Sequence, residues 1–328
     1  SIQTINKKIN QDASLTDKKI ALSVELVTKN AWENSLVTQL DDIPFNYVGK
    51  GEQCVIKTEL ALAKRNSQNA SIILLEEPEN HVSHTRLNKL IKCISEQYAE
   101  KQILISTHSS FVANKLGLGK VMLLDNLKIT KFSDLSEETY NFFKKVAGYD
   151  TLRMILCKKA ILCEGDSDEL VIQKAYMQLN DGRLPIEDGI EVISVGVSFL
   201  RFLEIADFIQ TKIAVVTDND GDMEAIKKKY KNYMGENQND YIKICVDNIV
   251  DTGTLKIGES GYNYNTLEPK LLKVNGMEKL NRILGTDYME EDDLRKYMKH
   301  NKTECGLKIF ESSEDIEIPE YILEAIRW

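Results

Sequence analysis

KAILCEGDSDEL (residues 159–170) decides how the rest of the chain is read. An apolar run of strand length ends in Glu164, a glycine follows, and Asp168 comes one helical turn later. A short, continuously apolar run predicts a strand buried on both faces. Gly165 lets the chain turn tightly without a Cβ penalty. Asp168 then lies one turn into the next helix and can point back at the strand end. KIAVVTDNDGD (212–222) repeats the arrangement with a strand ending in Asp218 and Asp220. In a parallel sheet, ligand sites gather at the carboxyl ends of strands, which is where both acid groups fall. A calcium loop counted from Asp218 needs glycine at its sixth position and glutamate at its twelfth. Those positions hold Met223 and Lys229, so that reading fails. Asp222 is expected to begin the next helix, where negative charge suits the dipole.

The same punctuation runs through the chain. Strands are expected at 71–76, 102–107, 121–125, 159–164, 190–195, 212–218 and 241–246, with helical patterns at 84–100, 167–179, 198–209 and 222–231. This alternation predicts an α/β fold with mostly parallel sheets. A helical stretch over 134–158 separates two sets of strands, the first ending near Asp125. We therefore expect two domains, 1–150 and 151–328, the second with a helical extension from about residue 266.

Composition fits a globular protein: 328 residues, 42% hydrophobic and 28% charged. Scattered cysteines without C-x-x-C spacing argue against zinc and disulfides and fit the cytoplasm. No segment predicts a signal peptide or a membrane span. The net charge of −9 is concentrated in the second half. That is unfavourable for a nucleic-acid binder unless the carboxylates hold divalent metal. Lys227, Lys228, Lys229 and Lys231 read as a solvated helix face.

In the first half, SIILLEEPENH (71–81) is an apolar strand ending in Glu76 and Glu77, and QILISTHSS (102–110) is a second one ending near His108. Upstream, VGKGEQ (48–53) opens a helix with Gly49, Gly51 and Gln53. Each piece alone fits a surface turn or a structural histidine. Their order resembles the signature loop, Walker B strand and switch histidine of ABC-type ATPases. The resemblance implies Glu76 for magnesium, Glu77 for the attacking water, His108 for the γ-phosphate, and a signature loop facing nucleotide on a partner subunit. No G-x-x-x-x-G-K-[ST] phosphate loop occurs, and KLGLGK (115–120) lacks its spacing. This chain alone is therefore not expected to hydrolyse ATP; ATP is implied only with the missing Walker A half. The chain starts at Ser1, which favours an upstream half having been removed.

In the second half, strand–Glu-Gly, helix, strand, helix, strand–Asp-x-Asp, helix, strand over 159–246 resembles the Toprim fold. An ABC-like ATPase part followed by Toprim resembles the OLD (overcoming lysogenisation defect) family. LLEEPENH and NKTECGLKIFES look most like the nuclease subunits of Gabija anti-phage systems. The fold class implied is α/β, an incomplete ABC-type ATPase part followed by a Toprim parallel-sheet domain with a helical C-terminal region. The activity implied is metal-dependent endonucleolytic cleavage of double-stranded DNA, using Mg²⁺ or Mn²⁺, in a homo-oligomer with a helicase-like partner protein. The residues carried over are Glu164, Asp168, Asp218 and Asp220 as ligands, Glu268 joining the metal cluster, and Lys302 approaching the scissile phosphate. The bland alternatives are a helix-capping acid for Glu268 and a surface lysine for Lys302. Ser194 and Ser198 beside Gly196 are weaker phosphate candidates, and His81, His84 and His300 read as surface or packing residues. The competing functional reading is a nucleotide-sensing regulatory module with a non-catalytic Toprim domain. A topoisomerase or primase lacks support, since no dedicated domain presents a nucleophilic tyrosine.

Overall fold

The computed structural model describes residues 20–24, 36–63, 70–125, 128–139, 141 and 149–328. Packing divides the chain into two compact units, Ser1–Leu116 and Gly117–Trp328.

The first unit begins with an antiparallel meander, β1 (Ile20–Val24), β2 (Leu36–Leu40) and β3 (Ile43–Pro44). Helix α1 (Lys50–Ala63) follows, then the parallel pair β4 (Ile72–Glu76) and β5 (Gln102–Ser106) joined through α2 (His84–Gln97), and finally α3 (Ser110–Leu116). Leu87, Leu90, Ile91 and Ile94 recur at helical spacing on α2 and are all buried. Leu90 and Ile94 pack with Leu62 and Ile73. The expectation that β4 and β5 are buried on both faces is overturned. Ile73 is buried, but its strand neighbours Ile72 and Leu74 are exposed, Leu74 by 72%. An apolar run reports that both faces of a strand are apolar, not that both are covered.

The second unit opens with β6 (Met122–Asp125) and β7 (Lys128–Lys131), an antiparallel hairpin. The strand expected at 121–125 is thus present but stands outside the parallel pairing that predominates in the expected fold. Two residues between strands leave no room for the crossover that parallel pairing requires. Of the helix expected over 134–158, Tyr149–Leu156 forms α4, and residues 140 and 142–148 lie outside the described residues.

Next comes the α/β core: β8 (Lys159–Cys163), α5 (Asp166–Leu179), β9 (Ile190–Ser194), α6 (Phe199–Ile209), β10 (Lys212–Val216), α7 (Met223–Lys229) and β11 (Ile242–Cys245). All four strands are parallel, in the order β11-β10-β8-β9. Every residue of β8 is buried, as its sequence predicts. The chain leaves β8 toward one edge of the sheet and β10 toward the other. The crevice at the reversal, between the carboxyl ends of β8 and β10, is where such sheets hold ligands.

A small hairpin, β12 (Lys256–Ile257) and β13 (Ser260–Gly261), precedes five helices: α8 (Leu267–Asn275), α9 (Met277–Leu284), α10 (Glu291–His300), α11 (Lys302–Glu311) and α12 (Glu320–Arg327). Their apolar faces share one core with the sheet, including Ile161, Ala214, Leu271, Leu294, Ile309 and Ile322. Lys159, at the start of β8, donates from Nζ to the carbonyls of Ala325 (2.9 Å) and Ile326 (3.1 Å), tying α12 to the sheet's amino edge.

Helix α11 lies close against α5. A Cβ on Gly306 would stand 3.0 Å from Ser167 Cα, a backbone atom that cannot yield cheaply. Gly306→Val should therefore destabilise the protein by about 1–3 kcal/mol through overpacking, read from the midpoint of chemical denaturation. Gly276→Ala in the α8–α9 turn, with no atom within 4 Å of the added Cβ but a positive φ, serves as the comparison for a conformational cost without a clash.

Candidate active site

The crevice collects the acids that the two strand-end motifs supply. Glu164 follows β8, and its Oε1 accepts from Thr217 Oγ1 at 2.9 Å. Thr217 is 2% exposed at the end of β10, so this bond joins the two strand ends across the reversal. Asp168, in the first turn of α5, accepts at Oδ2 from the Gly165 amide at 3.2 Å. That bond satisfies an amide at the helix entrance and turns the carboxylate toward the strand end. Asp220 adopts a left-handed backbone conformation and its Oδ1 accepts from Asn263 Nδ2 at 2.7 Å. Asp222 caps α7, its Oδ1 accepting from the Ala225 amide at 2.9 Å, as its sequence position predicts.

Two residues from the C-terminal helices reach the same place. Glu268, on the first turn of α8, is 4% exposed. Its Oε2 accepts from Thr266 Oγ1 at 3.2 Å and pairs with Lys302 Nζ at 3.1 Å. Its Oε1 is buried without a hydrogen-bond partner. Lys302 is the first residue of α11 and stays about half exposed.

Crowding shifts these groups in one direction. Burial, then the charges of Glu268 and Glu164, push Asp168 up to about 7, with Lys302 opposing. Burial, then Asp168, Glu164, Glu268 and Asp220, hold Asp218 well above the usual carboxylate range. Burial works against the charge of Lys302, but Glu268, Asp218 and Asp168 outweigh it and raise its affinity for a proton. These shifts express a surplus of negative charge that the Lys302 ammonium partly offsets.

Such a site fits a hard divalent cation: its donors are oxygens, and a buried carboxylate oxygen lacks a partner. Among the described residues, no three His, Cys, Asp or Glu side chains stand together closely enough to hold an ion as they are placed. Protein donors instead occupy Glu164, Asp168, Asp220 and one oxygen of Glu268.

Other candidates take ordinary places. Ser194 Oγ donates to Asp166 Oδ1 at 3.2 Å and its amide faces Glu169, surroundings that disfavour phosphate. Lys229 lies over the rings of Phe199 and Tyr230, and Lys227 pairs with Glu224. His84 stacks against Phe111, and the His300 ring contacts the Lys296 carbonyl.

In the first unit, Glu76 ends β4 and Glu77 follows with a positive φ. His108 Nε2 stands 3.4 Å from Glu77 Oε1, so the carboxyl ends of β4 and β5 bring these two together. Glu79 bridges the same ends, its Oε1 accepting from Thr107 Oγ1 (2.5 Å) and the His108 amide (3.1 Å). Gly51 is required by contact: a Cβ there would fall 2.0 Å from the His81 carbonyl oxygen. Gly49 has open space, and Gln53 Nε2 donates to the carbonyls of Phe45 and Val48.

Comparison with known proteins agrees with this layout. Residues 155–220 match the family described as overcoming lysogenization defect protein-like, TOPRIM domain. Residues 37–114 match the family described as AAA domain, putative AbiEii toxin, Type IV TA system. The chain thus carries an ATPase-like part followed by an OLD-like Toprim domain and C-terminal helices. Among solved structures, the C-terminal region of the Xanthomonas campestris pv. campestris OLD protein, phased with platinum, is 16% identical. That match covers 53% of this chain and 93% of the other, with a TM-score of 0.37. The same region phased with mercury is also 16% identical over 52% and 93%, at a TM-score of 0.34. A structure from work on ATP-driven dimerization and DNA-stimulated activation of SMC ATPases is 13% identical over 45% and 93%, at 0.32. No curated protein matches the chain. No helix among the described residues is long and apolar enough to cross a membrane.

Sequence reading missed Thr217, Asn263 and Glu79, each of which holds a candidate residue in place. Glu79 stands inside the LLEEPENH stretch and Thr217 directly precedes Asp218. Position in a motif was the available signal.

A proton-linked prediction follows from Asp168. Its folded-state affinity for protons exceeds that of the unfolded chain, so the folded state binds more protons between about pH 4 and 7. Stability from this group is therefore full at low pH and lost as pH rises through about 7. Asp168→Asn keeps an acceptor for the Gly165 amide without the charge. With chelator present at pH 8, it should melt at a higher temperature than the parent, and the difference should shrink toward pH 5. Thermal melts across that range check it.

Proposed function

We propose that the Toprim domain hydrolyses DNA phosphodiester bonds with a divalent metal, coupled to the ATPase part, in anti-phage defence of the Gabija type. The observation that carries this reading is the like-charged cluster at the sheet reversal, in which Glu164, Asp168 and Asp218 are partly buried, joined from the helices by the buried Glu268 with its unpartnered oxygen and by Lys302. Carboxylates crowded together and partly withdrawn from water are unfavourable unless a cation joins them.

Glu164, Asp168, Asp218, Asp220 and Glu268 would hold Mg²⁺ or Mn²⁺. Bound there, the metal supplies charge neutralisation of the phosphate, a hydroxide nucleophile and stabilisation of the leaving oxygen. Lys302 would meet the non-bridging phosphate oxygens, a role supported by its half-exposed ammonium beside Glu268. Glu268 holds that ammonium at the crevice. Thr217 fixes one oxygen of Glu164. Double-stranded DNA as substrate, assembly into homo-oligomers and a helicase-like partner belong to the same proposal. So does nucleotide control through Glu76, Glu77 and His108, which acts only with a Walker A half.

Plasmid nicking with Mg²⁺ or Mn²⁺ tests the reading. Glu164→Ala and Asp218→Ala should each reduce nicking at least about a hundredfold, since each removes a metal ligand, while circular dichroism stays that of the parent. Undiminished cleavage by either variant would sink the assignment. Metal binding without cleavage of supercoiled, linear or single-stranded DNA would favour the nucleotide-sensing module instead.

A further inference from the structure

The middle residue of the Asp-x-Asp turn is not a spacer. Asn219 is 2% exposed, and its Nδ2 donates to the carbonyls of Asp247 at 2.6 Å and Ile249 at 3.0 Å. Its Oδ1 accepts from the Gly221 amide at 2.9 Å, closing the turn that carries Asp218 and Asp220. The carbonyls it holds belong to the loop after β11.

The same loop is held from the other side. Lys270, on α8 and 3% exposed, donates from Nζ to the Ile249 carbonyl at 2.8 Å. It also pairs with Asp247 Oδ2 at 2.6 Å and Asp251 Oδ2 at 2.8 Å. Asn265 then exchanges two bonds with the backbone of Asp251, at 2.7 and 2.9 Å. Ile249 O thus receives one donor from the Asp-x-Asp turn and one from the helix that carries Glu268.

We propose that Lys270 and Asn219 are positioning residues that set the distance between Glu268 and the Asp218–Asp220 pair through their shared grip on the Ile249 carbonyl. The two groups come from elements distant in sequence, and among the described residues no backbone ladder joins α8 to the turn after β10. An unpaired buried ammonium or amide is costly, so the loop has one favoured seat that satisfies both. The class of ligand served is a divalent cation, so this inference rests on the metal reading of the site.

The test is Mn²⁺ binding to the full chain, followed by electron paramagnetic resonance, with thermal melts on the same samples. Lys270→Met and Asn219→Ser should each weaken Mn²⁺ binding by about tenfold or more, as loss of an outer-shell partner does, and should change the Mn²⁺ line shape. Arg153→Met is the comparison: it breaks the Arg153–Glu191 pair at the 2.6 Å contact near β9, away from the loop, and should lower the melting temperature while leaving Mn²⁺ affinity unchanged. If Lys270→Met does not fold, Asn219→Ser alone decides. Parent-like affinity and line shape in a folded Lys270→Met or Asn219→Ser variant would overturn the positioning role, as would an equal loss of affinity in Arg153→Met. Failure of the parent to bind Mn²⁺ would instead remove the metal reading, and this proposal with it.

Discussion

Mutual repulsion of carboxylates in a poorly solvated crevice is the constraint around which the second unit is built. Glu164, Asp218 and Asp220 arrive from two strand ends, Asp168 from the first turn of α5, and Glu268 from a helix far along the chain. Charges so arranged raise one another's proton affinity, as Asp168 and Asp218 do. The fold accepts that cost because the sheet order leaves no other place for the two strand ends. Parallel pairing of β8 with β10, in a register that sets Leu162 beside Val215, brings Glu164 level with Thr217, the residue directly before Asp218.

The surroundings answer the repulsion with donors rather than with many cations. Thr217, the Gly165 amide and Asn263 each take one acid, and Lys302 takes Glu268. Lys302 depends in turn on how closely α11 approaches α5, which Gly306 permits. A helix-packing contact therefore governs where the Lys302 ammonium sits. The neighbouring cluster around Lys270 shows the opposite balance. Burial raises the proton affinity of Asp251, but hydrogen bonds from Lys270 and Lys273 outweigh it and hold the carboxyl below its ordinary value.

Most of the parallel core was legible in the sequence because strands buried on both faces are written as unbroken apolar runs. KAILC and KIAVV announced themselves in that way, and the glycine and acids behind them marked the carboxyl ends. The same rule misled for LLEEPENH's strand, whose outward residues Ile72 and Leu74 are apolar yet exposed. The meander β1–β3 escaped notice because its strands, IALSV, LVTQL and IP, are short and polar residues interrupt the first two. Glu164, Asp168, Asp218 and Asp220 could be read from local context. Glu268 and Lys302 could not, since only tertiary packing brings α8 and α11 to the crevice; a family resemblance supplied them. Asn219 was passed over because motif notation treats it as an arbitrary letter.

The seat of the loop after β11 has a further meaning for how such a protein can diversify. Asn219 grips main-chain carbonyls, at Asp247 and Ile249, and Lys270 shares one of them. A main-chain acceptor is present whatever side chain its residue bears. Ile249 and Val250 both point into solvent. Their identities can drift through evolution, presenting a new outer surface beside the crevice, while the loop keeps its seat. Variation at the rim is thereby uncoupled from the chemistry beneath it, and the burden of constancy falls on two residues that never meet the outside.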